Sequence, residues 1–312
     1  MRTDDREQRR RGWGFGRVPE VELTPADWRP AAAVLDRALA LHVVLAVVGG
    51  LDATTAIALL DGLDVREALQ PDEAEPTVIL VDEVLVNGRW PLLLPKHRAT
   101  RPEWPWWEAT RLAAMSTVIG SGDVVWDVGA EEGDFPALWS SWGADVVLAE
   151  PNPKVWPNIR AIFDANDLAD PMLCWPGFLA DRCEDQPRAY IDTGPWPASA
   201  AGEVIGDHGF CQLGERPDIP TSTIDALVAD GVPAPTVITM DVEGSELFVI
   251  LGAEDTLNRH RPHVFVSIHP EFMRHHYGIE DGVDRVRAEM RRHGYGEIYL
   301  CTDHEAHWWF TP

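Results

Sequence analysis

Positive charge is scarce in this chain. Only 26 Lys and Arg stand against 51 Asp and Glu, a formal net charge of −25 over 312 residues. Phosphate affinity comes from clustered basic side chains, so this balance opposes binding to DNA, RNA or an anionic membrane. The one basic cluster, Arg2 to Arg17 with Arg9-Arg10-Arg11 inside it, reads as a disordered tail. Cysteine is sparse as well. Cys174, Cys183, Cys211 and Cys301 form no C-x-x-C pair, which removes the signal for a zinc site or a disulfide framework. Reduced thiols and a cytoplasmic location are the expectation. The first 20 residues lack an apolar h-region, so no signal peptide is expected. The longest apolar run, Ala38 to Val48, contains His42 and is too short to span a bilayer. No internal repeat is present.

The hydrophobic share of 45% and charged share of 25% are those of a globular protein. The chain is long enough for one large α/β domain plus an accessory region. Fourteen tryptophans are expected mainly in the core, with an aromatic substrate platform at Trp104 to Trp107 as the alternative. Residues 1–20 read as the tail, 21–100 as an accessory region and 101–312 as the main domain. The accessory region is expected to hold a helical pair, an acidic linker at Pro71 to Pro76 and a hairpin turning at Asn87-Gly88. From Glu108 onward, helix and strand alternate. Strands are expected near 124–128, 146–150, 172–175, 236–241 and 263–268, with a closing antiparallel hairpin near 296–302 and 306–311. Helices are expected near 108–119, 135–142, 154–166, 222–230, 245–251 and 282–293. That alternation predicts a doubly wound, mostly parallel seven-stranded sheet of the Rossmann-like α/β class. Residues 183–219, rich in Pro and Gly, form a long irregular excursion beside the expected cleft, and loops of that length usually have a function or are disordered.

The stretch Val124-Val125-Trp126-Asp127-Val128-Gly129-Ala130-Glu131-Glu132-Gly133-Asp134 runs an apolar strand into a glycine turn. A second apolar strand, Val146 to Ala149, ends on Glu150. This is the first βαβ unit of a nucleotide-binding sheet, with the trailing acid placed to grip a ribose through both hydroxyls. The turn reads Gly-x-x-x-Gly, not Gly-x-Gly-x-x-Gly, and Asp127, Glu131, Glu132 and Asp134 surround it. Four carboxylates repel a pyrophosphate, whereas a cationic nucleoside without phosphate, S-adenosylmethionine, fits. The expected cofactor-binding residues are Asp127, Gly129, Glu131, Gly133, Glu150 and, after the third strand, Asp181 for the adenine amino group.

A second cluster, Met240-Asp241-Val242-Glu243-Gly244-Ser245-Glu246, follows the fourth parallel strand. In extended backbone Asp241 and Glu243 share a face, and the carboxyl ends of such strands are where these sheets bind ligands. Glu246 reads as a cap of the next helix. His269 lies just beyond the strand Val264 to Ile268, at the same edge.

These segments resemble the FkbM-type S-adenosylmethionine-dependent methyltransferases. The resemblance rests on Asp-Val-Gly-Ala-Glu-Glu-Gly at 127–133, Glu-Pro-Asn-Pro at 150–153 and Thr-Ser-Thr-Ile-Asp at 221–225, and above all on Met-Asp-Val-Glu-Gly-Ser-Glu at 240–246 and Ser-Ile-His-Pro-Glu at 267–271. It departs from the family at Glu131 and Glu132, where asparagine and isoleucine are common, and at Thr239, where lysine is usual. The resemblance implies O-methylation, often of sugar or natural-product hydroxyls. The expected catalytic residues are Asp241 or His269 as base and Glu243 orienting the acceptor. No metal ligand is assigned, although Asp241, Glu243 and His269 are the residues that would hold a divalent ion with two acceptor hydroxyls. The competing readings are a nicotinamide-dependent oxidoreductase and a non-catalytic cofactor-binding module. The expected partner is a small-molecule or glycan hydroxyl acceptor, not nucleic acid or membrane.

Overall fold

Short apolar runs rich in valine and isoleucine, each followed by a polar turn, build the sheet that organises this protein. The structure, a computed structural model, describes residues 81–184, 194–302 and 305–312. These fall within one compact unit, Thr77–Pro312. The tail and the helical pair expected over the first 76 residues lie outside the described residues.

In chain order the elements are β1 (Val81–Val86), β2 (Trp90–Pro95), α1 (Lys96–Ala99), α2 (Ala109–Met115), β3 (Val124–Val128), α3 (Asp134–Ser141) and β4 (Asp145–Ala149). Next come α4 (Trp156–Ala165), β5 (Leu173–Trp175), β6 (Phe178–Leu179), β7 (Thr221–Ser222), α5 (Ile224–Ala229), β8 (Val237–Met240), α6 (Glu246–Leu251) and α7 (Glu254–Arg259). The chain closes with β9 (His263–Ile268), α8 (Pro270–Tyr277), α9 (Gly282–Arg292), β10 (Gly296–Thr302) and β11 (Ala306–Thr311). The central sheet has seven strands in the order β10-β11-β9-β8-β3-β4-β5. Strands β9, β8, β3, β4 and β5 pair in parallel, and β11 lies antiparallel between β9 and β10. The predicted α/β class, strand count and closing hairpin are all present.

Both faces of the parallel strands are buried, which is why these strands read as continuous apolar runs instead of alternating ones. Val125 enters a core with Leu138, Trp139, Trp156 and Ile162. Its neighbour Trp126 points the other way, into a core with Val128, Ile238, Leu247 and Val264.

The hairpin β1–β2 turns at Asn87 and Gly88, both with left-handed backbone at φ 52° and 64°. It is not part of a separate accessory region. Leu92 and Leu94 are buried with Trp139 and Trp156, and the Asn166 side chain exchanges two hydrogen bonds with the Leu93 backbone. The boundary expected near residue 100 therefore falls before the hairpin. That docking fixes where α1, which follows β2 without a linker, delivers His97 and Arg98.

Candidate active site

The carboxyl ends of β3, β4, β8 and β9 open onto one cavity, lined by Asp127, Gly129, Glu131, Glu150, Asp241, Glu243 and His269 among others. Gly129 lets the two halves meet. Its φ is 87°, and a Cβ there would stand 2.0 Å from the Asp241 carbonyl oxygen, so only glycine fits between the first strand's turn and the end of β8. Gly133 has a different task from the one expected. It begins α3 with φ 88°, and a Cβ would meet Ile159 at 2.9 Å, so it lets α3 pack on α4 and stays outside the cavity lining. Asp181 also falls outside it, exposed and paired with Arg182 at 3.7 Å. Gly177, Phe178 and Leu179, slightly earlier in the chain, reach the cavity instead.

Glu150 is buried at the tip of β4. Its Oε2 accepts the Glu131 backbone N–H at 3.0 Å and its Oε1 accepts that of Asn152 at 2.7 Å. Burial pushes its pKa up to about 7 against the restraint of those two donors. Glu131 acts here through its backbone, held at φ 47°.

The side chains of the acidic turn are not left to repel one another. Arg98, buried in α1, donates through Nε to Asp134 at 2.9 and 3.2 Å and through its terminal nitrogens to Glu131 at 3.1 and 3.0 Å. Its Nη2 also contacts Asp134 directly. Its other neighbour is Glu132, at 3.6 Å. Glu132 further accepts from the Asn158 amide at 3.0 Å and contacts His97 at 2.5 Å and His208 at 3.1 Å. Although burial opposes ionisation, these partners hold its pKa down at about 2. The turn is therefore less negative than its sequence implies, because a cation from another element compensates it. His208 belongs to the predicted irregular excursion, which brings Gly209, Phe210, Cys211 and Leu213 to the cavity with it. Of the tryptophans at 104–107, Trp104 is buried and donates to the Arg98 carbonyl at 2.9 Å, while Trp107 lines the cavity.

At the other half, Asp241 and Glu243 converge, but not by strand alternation. The strand ends at Met240, and a turn with Glu243 at φ 51° and Gly244 at φ 101° swings the second carboxylate round. His269 Nε2 lies 3.3 Å from Asp241, 3.7 Å from Glu243 and 3.5 Å from Glu305. Its Nδ1 is 2.7 Å from Glu246 Oε1, which also accepts the Gly244 N–H at 3.0 Å. Glu246 thus orients the histidine and pins the Gly244 turn, and no side chain caps α6. Burial disfavours the imidazolium, but the Glu246 hydrogen bond and the Asp241, Glu246 and Glu243 charges outweigh it and bring His269 to about 9. Burial first, then Asp241, Glu305 and Glu246, raise Glu243 to about 7 against the pull of His269.

Arg111 on α2 completes this half. It is buried, pairs with Glu108 at 2.6 Å, donates to Thr239 Oγ1 at 3.3 Å and lies 3.5 Å from Asp241. Burial raises Asp127 well above its usual range, with Arg111 opposing the rise. Arg98, Arg111, His208 and Glu305 were not anticipated from sequence, and Glu246 was expected only as a cap. Only His208 carried a signal, as a polar residue in a long loop beside the cleft.

The methyltransferase FkbM domain model matches residues 127–296, more than half of the chain. The chain belongs to the FkbM methyltransferase family. This agrees with the resemblance and sets aside the oxidoreductase. The hexuronic acid methyltransferase AglP of Haloferax volcanii is 30% identical over 149 residues, which cover 47% of this chain and 56% of that protein. The chain thus matches about half the length of that curated relative. The FkbM methyltransferase of Methylobacillus flagellatus shares 18% identity at a TM-score of 0.41, over 60% of this chain and 43% of that one. The T. thermophilus 16S rRNA N2 G1207 methyltransferase RsmC, solved with AdoMet and guanosine, shares 12% at 0.40, over 78% of this chain and 53% of that one. The described part of this FkbM-family chain contains no helix long and apolar enough to cross a membrane.

Proposed function

We propose that this chain moves the methyl group of S-adenosylmethionine to a hydroxyl of a small molecule or glycan. The observation that carries the reading is the division of one cavity into two polar halves. On one side the Glu150 carboxylate is pinned by two backbone N–H groups. On the other stand Asp241, Glu243 and His269, with Gly129 between them.

The residues present fit this cofactor. Each Glu150 oxygen spends one lone pair on the backbone and keeps capacity for a ribose hydroxyl, giving the bidentate, charge-assisted pair such a sugar requires. Asp127 and Glu131 add carboxylates to the lining, which suits a ligand bearing a sulfonium and an ammonium group. When bound, S-adenosylmethionine supplies an electrophilic methyl carbon. The acceptor oxygen forms a bond to that carbon as the sulfur–carbon bond breaks, and the hydroxyl proton passes to a nearby base. The products are an O-methyl ether and S-adenosylhomocysteine. Holding the acceptor in line supplies several kcal/mol. Asp241 is the group placed to take the proton, since His269, raised to about 9, already carries one near neutral pH, and Glu243 orients the acceptor. A carbohydrate acceptor is supported by the curated relative, which is named for methylating a hexuronic acid.

The test is direct. Isothermal titration should show S-adenosylhomocysteine binding, and a labelled methyl group should appear on one of a panel of sugars and sugar acids. A folded chain with no affinity for S-adenosylhomocysteine would sink the proposal.

A further inference from the structure

We infer that Asp241, Glu243 and His269 hold a divalent cation, which in turn holds two adjacent oxygen donors of the methyl acceptor. This deepens the reading above and rests on it for the acceptor, while the cation site stands on the geometry of its own residues.

Three oxygens from three separate residues crowd around one nitrogen, His269 Nε2, at 3.3, 3.5 and 3.7 Å. A proton on Nε2 can serve only one of them at a time. Donors bonded to one small ion at about 2.1 Å sit roughly 3.0–3.4 Å from one another, close to the spacing seen. Asp241, Glu243 and His269 each offer a donor atom within 4.8 Å of the other two. Asp241 turns Oδ2 to Arg111 and Oδ1 to the cluster, so neither interaction displaces the other.

The second observation comes from behind the histidine. His269 is 4% exposed, and its Nδ1 is held by Glu246 at 2.7 Å. Glu246 is itself fully buried and fixed by the Gly244 N–H. A carboxylate behind a ligating imidazole fixes the Nδ1–H tautomer and turns the Nε2 lone pair outward, the usual arrangement around a metal-bound histidine. One nitrogen with carboxylate oxygens suits a borderline-hard ion such as Mn²⁺ or Mg²⁺. The other nearby donor group, Glu131, Glu132 and His208, is already occupied by Arg98, His97 and Asn158. The acceptor class that follows carries neighbouring oxygen donors, either a vicinal diol or a hydroxyl beside a carboxylate. The cation would let a sugar acid approach a site that is otherwise strongly acidic.

Mn²⁺ titrated into the full chain, followed by loss of the free-ion paramagnetic resonance signal, tests this. The expected result is one tight ion per chain, with His269→Ala and Glu243→Gln each weakening it at least tenfold and Glu246→Gln weakening it ten- to hundredfold. Spin-echo modulation from a directly bound imidazole nitrogen should appear in the unmodified protein, independent of any variant. S-adenosylhomocysteine binding, measured on the same samples, reports the cofactor half and the fold separately. A chain that binds S-adenosylhomocysteine but takes up no Mn²⁺ at ~1 mM overturns the cation and leaves the methyltransferase reading standing. Bound Mn²⁺ without nitrogen modulation overturns it too.

Discussion

Arg111 reaches from α2 to place its guanidinium 3.3 Å from Thr239 Oγ1 and 3.5 Å from Asp241. Thr239 is the position where the family usually carries lysine. The cation missing from β8 is supplied from another element. Removing it as Arg111→Met strands Glu108, Asp127 and Asp241, and breaking a buried pair of this kind costs about 3–5 kcal/mol. The expected fall in Tm is about 6–20 °C. Thr239→Lys alone should also destabilise, by crowding two cations. The double variant should recover at least half the loss, and strictly additive melts would refute the exchange.

Arg98 offers a companion experiment on the cofactor side. Arg98→Ala leaves the buried Asp134 and Glu132 without their guanidinium. A loss of about 3–5 kcal/mol is expected in thermal melts. Arg98→Lys keeps the charge but not the planar fork that spans two carboxylates, so it should recover only part of the loss. Full recovery by lysine would show that charge alone matters at this position.

Glu150 sets a pH dependence. Burial raises it to about 7 from its usual 4.5, restrained by the Asn152 and Glu131 backbone groups, with the Glu131 charge raising it and His208 lowering it. Ribose hydroxyls need the ionised form, so S-adenosylhomocysteine affinity should rise between pH 6 and 8 and level off above. The apo fold responds oppositely. A raised carboxyl pKa favours the folded state below the unfolded value, and that contribution disappears as pH climbs through about 7. Glu150→Gln should weaken binding about ten- to hundredfold and flatten the profile. Titrations at three pH values check it, and a variant profile as steep as the original would assign the slope to another group.

Gly129→Ala should be among the most damaging small substitutions in the chain. The new methyl meets the Asp241 carbonyl at 2.0 Å with φ already at 87°. Gly120→Ala is the control, with no atom within 4 Å of its added Cβ. Thermal melts should fall by several degrees for the first and stay nearly unchanged for the second. Equal melts would mean that the approach between β3 and β8 is looser than it stands.

Much of this architecture can be read in the chain because both signals used are local. Buried parallel strands must be continuous apolar runs, so Val124–Val128 and His263–Ile268 are legible within a residue or two. The strand ends open onto one cavity, so Glu150, Asp241 and His269 are legible as part of its lining. Charge compensation is not local. Arg98 meets Asp134 across 36 positions and Arg111 meets Thr239 across 128, and no spacing rule anticipates either pair. Asp181 stands outside the cavity lining for a related reason. The chain bends into the short pair β6–β7 after β5, so Phe178 and Leu179, not the acid beyond them, face the cavity.

The dependence on Arg98 limits how this domain can be cut. The span that defines the family begins at Asp127, yet the guanidinium that compensates its first turn is donated by a helix almost thirty positions upstream. A fragment trimmed to 127–296 would carry every signature residue of the glycine turn and still leave Asp134 and Glu132 without Arg98. Recombining domains at the edge of the family motif would separate a site from its own counter-ion.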